Sequence, residues 1–166
     1  MSTRVSTLPA PVRFTLPDGW VAVPPREVKA DNAAFVAVYP EMKGVFTPNI
    51  TVTGHVRPHY ASLEQVAEQA LAELRSGASD VQVGERSEIG NASHPGFVRA
   101  VRFALPYGGK PLYIVQRQAF FRMRHPRSSA HMAVLQVALT ALPEQFVNLL
   151  DEFHDFLSTI RPEVVQ

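Results

Sequence analysis

Two histidines four residues apart, His55 and His59, are the first candidates for chemistry, because an i, i+4 pair on a helix turns both rings to one face and chelates a metal ion. Their surroundings argue against it. In the stretch FTPNITVTGHVRPHY, Phe46 to Tyr60, Ile50, Val52 and Val56 alternate with Thr51, Thr53 and His55, which is the period of a strand, and Pro58 stands between the histidines. At about 3.3 Å per residue the two residues lie roughly 13 Å apart, so they read as surface histidines at a strand end. His94, His125, His131 and His154 show no ligand spacing, and the chain has no cysteine for a thiolate site, a disulfide or a thiol nucleophile. The expectation is no metal and no cofactor.

Other catalytic patterns fare no better. There is no Gly-x-Ser-x-Gly elbow, and the serines gather at caps and in loops such as RSSAH. Tyr107-Gly-Gly-Lys-Pro111 has two glycines and a lysine but lacks the length, the following Ser or Thr and the helix of a phosphate loop, so it reads as a hairpin turn. No local catalytic motif emerges from these patterns, which leaves a Ser-His-Asp triad assembled from distant positions as the one catalytic alternative.

The distribution of charge is the remaining anomaly. Net charge is +1, which excludes a strongly basic nucleic-acid binder. Yet no acidic residue occurs from Ile89 through Pro143, while Arg99, Arg102, Lys110, Arg117, Arg122, Arg124 and Arg127 all fall there. One reading is a solvated sheet face, with Glu144, Asp151, Glu152 and Asp155 of the last helix as compensation. The sharper one makes Arg102, Arg117, Arg122 and Arg124, with Tyr113, a surface for a partner or an anionic ligand. Strand parity divides them, since Arg117 alternates in step with Tyr113, Val115 and Phe121, and Arg122 with Leu112, Ile114 and Phe120.

The elements that must position these residues follow from periodicity. VRFTL and WVAV flank a PDG turn and read as a hairpin; AFVAVYP and NITVTGHV read as strands. From Ser62 the period becomes 3.6, with Leu63, Val66, Ala67, Ala70, Leu71 and Leu74 on one stripe, and Ser62 with Gln65 forms a capping box. Strands resume at VQVGERSEI, GFVRAVRFAL, PLYIVQRQAFFRM and HMAVLQVAL. A closing helix from Pro143 to Ile160 turns Phe146, Leu149, Leu150, Phe153, Phe156, Leu157 and Ile160 to the core. The expected fold is α+β, a twisted, mostly antiparallel β-sheet packed with two main α-helices, with residues 1–11 as a flexible N-terminus and 12–162 as one domain. No run of 18 apolar residues and no signal-type segment occurs, so no integral membrane segment and a cytoplasmic location are expected.

The strings FTLPDGW, FTPNITVTG, SLEQVAEQALAELR and EFHDFLSTIRP together resemble the LpqN-type actinobacterial family, which has the PsbP-like fold. The resemblance spans Phe14 to Pro162, and Phe-x-Pro-Asn-Ile-x-Val is its most specific piece. It departs from the lipoprotein members in lacking a lipid-attachment cysteine. Related folds occur in the PsbP photosystem subunit, a Ran-binding transport factor, and the DcrB and Eag-type effector chaperones. The resemblance implies a non-catalytic, protein-binding or chaperone-like domain, with another protein such as a secreted effector, or a second copy of the chain, as partner. The alternatives are a carrier of a small hydrophobic or anionic ligand and, behind it, a hydrolase. It also makes Phe46 to Val56 a structural signature rather than a site.

Overall fold

The computed structural model describes residues 2–28, 30–42 and 44–163. In chain order the elements are β1 (Ser2–Val5), β2 (Val12–Thr15), β3 (Val21–Val23), β4 (Phe35–Val38), β5 (Asn49–Pro58), α1 (Leu63–Gly77), β6 (Ser79–Gly90), β7 (Pro95–Tyr107), β8 (Lys110–Arg124), β9 (His131–Ala141), α2 (Pro143–Ser158) and β10 (Arg161–Pro162). Seven strands pair antiparallel in the order β3-β4-β5-β9-β8-β7-β6, and β1, β2 and β10 form a second sheet. With two helices on antiparallel sheets, the fold is α+β.

The helices form where the apolar stripes require them. At the start of α1 the Ser62 hydroxyl accepts from the Gln65 amide at 3.3 Å, and the Gln65 side chain accepts from the Ser62 amide at 3.1 Å, satisfying two otherwise free donors. Val66, Ala67 and Leu71 of α1 are buried. In α2 the buried apolar residues are Leu149, Phe153, Phe156 and Leu157, and Phe146 and Ile160 pack at the margin.

The two helices lie on opposite faces of the large sheet and are offset along it. Residues of α2 join Ile50 and Val52 of β5 and Leu135, Val137 and Leu139 of β9 in one core. On the other face α1 packs on Phe97, Val101 and Phe103 of β7 and on Ile114 and Phe120 of β8. The long strands β7 and β8 are therefore closed by α1 on one side and only partly covered by α2 on the other.

One expectation is corrected. The PDG turn forms, with the Trp20 amide donating to the Pro17 carbonyl at 3.3 Å, but no hairpin follows. Instead β2 pairs with β1 and β10, while β3 pairs with β4 in the large sheet. Phe14 draws β2 away by packing edge-on against Phe35 and Phe156, at centroid distances of 5.0 and 5.1 Å. Residues 2–11 comprise β1 and the lead into β2, with Val5, Leu8 and Ala10 in the core. Leu8 and Pro9 press on β5 at Gly54, where a Cβ would stand 2.5 Å from Pro9 Cδ, so only glycine admits this contact.

Candidate functional site

The acid-free segment builds β7, β8 and β9, and the pleat sends its arginines to different places. On the α1 side, Arg99 is buried; its Nε donates to Gln118 Oε1 and its Nη2 to the Ala67 carbonyl, both at 2.8 Å. Gln118 Nε2 donates to Gln116 Oε1 at 2.7 Å, and Gln116 Nε2 to Thr140 Oγ1 at 2.9 Å. This polar line crosses the sheet between the Phe97–Phe120 cluster and the Val101–Ile114 cluster. Burial lowers the Arg99 pKa, and the nearby charge of Glu68 opposes that shift.

Arg122 faces the same side, donating through Nη1 to the Ala61 carbonyl at 3.0 Å and through Nη2 to that of His59. It is a tie to the segment leading into α1. Arg124 continues on that face and is exposed at the end of β8.

Arg117, Arg102 and Tyr113 lie on the α2 side. Arg117 pairs across to Ala100 and Leu139, Arg102 to Val115, and Tyr113 to Ala104. Tyr113 is 56% exposed and Arg102 is exposed, whereas Arg117 is half-buried beside α2. Its Nε is buried without a hydrogen-bond partner, and burial alone lowers its pKa. Among the described residues, no arginine from Arg99 to Arg127 forms an ion pair within 4.0 Å; the ion pairs join Glu163 to Arg4 and Arg13, and Arg86 to Glu64 and Glu88. The acids of α2 do not neutralise the arginines by contact. The five residues singled out from sequence thus divide into a strip of Arg102, Tyr113 and Arg117 beside α2, and the pair Arg122 and Arg124 on the opposite face.

Further along the α2-side face lies a cavity of about 660 Å³ that sequence reading missed. Phe121 and Met123 of β8, Leu135 of β9, and Leu157 and Ile160 give it an apolar lining, to which His94, His154 and Arg161 add polar groups. One lip is the β6–β7 turn, fixed by the Asn91 side chain, which accepts from the amides of Ser93 and His94, both at 2.9 Å. Gly90 there has φ +83°, and a Cβ would meet the His94 carbonyl oxygen at 2.2 Å. His154 is held below the ordinary imidazole range by burial first and Arg117 second, against Asp151 and Asp155.

Of the histidines in the opening stretch, His55 is engaged by a neighbouring strand. His55 Nε2 lies 2.8 Å from Gln136 Oε1 on β9, and no group of three or more His, Asp or Glu among the described residues is placed to hold a metal ion. The Phe46–Asn49 lead is held by α2, whose Gln145 donates to the carbonyls of Met42 and Phe46 at 3.0 and 2.9 Å. No described helix is long and apolar enough to cross a membrane.

A seven-stranded antiparallel sheet between two offset helices is the architecture of the PsbP-like fold. The fold is LpqN-type: LpqN of Mycobacterium tuberculosis, described as involved in cell envelope biogenesis, superposes with a TM-score of 0.64 at 17% identity, over 96% of this chain and 89% of that one. Cyanobacterial PsbP from Synechocystis superposes at 0.60 with 11% identity, over 98% and 92%. The Ran-binding protein Mog1p of Saccharomyces cerevisiae superposes at 0.53 with 13% identity, over 98% and 95%. No protein-family model matches the chain. No curated protein matches it in sequence.

Proposed function

We propose that this chain is a non-catalytic, chaperone-like domain that holds an acidic segment of a secreted protein against the uncovered face of β7 and β8. Arg117 carries the reading. Its guanidinium is half-buried, its Nε has no hydrogen-bond partner, and no acid among the described residues forms an ion pair with it. A desolvated charge without a partner is unfavourable, and a carboxylate delivered from outside relieves it. Arg102 and Tyr113 flank it on the same face, supplying a second cation and an exposed aromatic ring, two residue types enriched at protein interfaces. Among proteins of this fold Mog1p is itself described as Ran-binding, which supports the protein-interacting part of the reading.

The test is partner capture on immobilised protein, comparing wild type with the double variant Arg102→Glu, Arg117→Gln. Arg122 is left intact because it ties carbonyls within the fold. The double variant is expected to melt as a folded protein and to lose about tenfold or more in affinity, and added salt is expected to weaken wild-type capture. Undiminished capture by the double variant, with no salt dependence, overturns the proposal.

A further inference from the structure

Beyond the arginine strip, we infer that the cavity at the C-terminal end of α2 is a binding site for a small amphiphilic carboxylate, a medium-chain aliphatic acid in chemical class. The volume of about 660 Å³ lies within the range of ligand pockets. Phe121, Met123, Leu135, Leu157 and Ile160 offer an apolar body no polar anchor, so the chain of the ligand lies on them.

Arg161 sets the sign of the head group. It lines the cavity with His94 and His154, and no Asp or Glu among the described residues does so. Asp151 and Asp155 influence His154 from the helix but are not part of the lining. Arg161 uses Nη1 on the carbonyls of Ser158 and Ile160, at 2.7 and 2.9 Å. Its Nε and Nη2 have no hydrogen-bond partner among the described residues, and they fit a carboxylate. The His94 lip is already shaped by Gly90 and the Asn91 side chain, so binding needs little ordering of this turn.

The experiment titrates the intact chain with decanoate, decanol and decyltrimethylammonium below their aggregation concentrations, followed by calorimetry and by amide chemical shifts. Decanoate is expected to bind saturably at one site, with shifts centred on residues 89–94 and 154–162, and about tenfold or more tighter than either comparison compound. The double variant His94→Gln, Arg161→Gln is expected to lose most of that preference for the anion. Ser158→Trp, at an exposed lining position that leaves the core intact, is expected to abolish binding. The inference is overturned by absence of saturable decanoate binding, by equal affinity for the three compounds, or by unchanged binding in a folded Ser158→Trp protein. Arg102 and Arg117 are untouched throughout, so failure here is separable from failure of the protein-binding proposal.

Discussion

The Arg122 guanidinium donates to the Ala61 carbonyl at 3.0 Å, joining the far end of β8 to the residue just ahead of the α1 cap. A second bond, to the His59 carbonyl, makes this arginine a fastener for the β5–α1 connection. Arg122→Ala is therefore expected to lower stability by about 1.5–3 kcal/mol, the range for hydrogen bonds to charged groups. Urea unfolding checks it. A loss below about 0.5 kcal/mol, ordinary for a surface substitution, would return Arg122 to the solvated face.

Phe153 is 1% exposed, packed with Phe156 and the inner residues of β5 and β9. Phe153→Ala is expected to cost about 3–5 kcal/mol through lost burial and the cavity left behind. Denaturant unfolding with an unchanged slope reads this directly; a cost under about 1 kcal/mol would detach α2 from the core.

Arg117→Met separates stability from recognition. Replacing a desolvated, unpaired guanidinium with an apolar chain of similar reach is expected to leave the melting temperature unchanged or raise it, while partner capture falls. A variant that unfolds several degrees earlier would mean that the guanidinium is satisfied within the fold.

His154 gives a pH dependence of known sign. Burial, then Arg117, lowers its folded pKa below the ordinary 6.5. Above that value both folded and unfolded states are neutral, and the group has no effect. As pH falls through it, the unfolded chain takes the proton first, so stability declines until the folded pKa is passed. His154→Gln is expected to flatten the stability profile on the acid side of pH 6.5, measured by urea unfolding at stepped pH. An unchanged slope would contradict the assignment.

Local rules in the sequence reach a good part of this molecule. The α1 stripe and its Ser62–Gln65 box, the α2 face and the opposite parity of Arg117 and Arg122 depend on spacing within one element, and periodicity carries that information. Contacts between distant residues are another matter. The turn at Pro17–Trp20 was legible, but the parting of β2 from β3 depends on Phe14 meeting Phe35 and Phe156. The packing of residues 2–11 depends on Gly54 admitting Leu8 and Pro9. The Arg99–Gln118–Gln116–Thr140 line is visible in the chain only as polar residues on strands. The cavity draws on β6, β8, β9 and the end of α2, and no single window of sequence contains it.

Site-directed photo-crosslinking in the native host tests the protein-binding reading most directly. A photoreactive phenylalanine analogue replaces Tyr113, 56% exposed beside Arg102 and Arg117, and in a second strain Tyr60, 82% exposed at the turn before α1. The account expects discrete protein adducts from position 113, reduced by Arg117→Gln and by raised salt, and few or none from position 60. Adducts of equal yield from both positions, or none from position 113 in a folded protein, would contradict it.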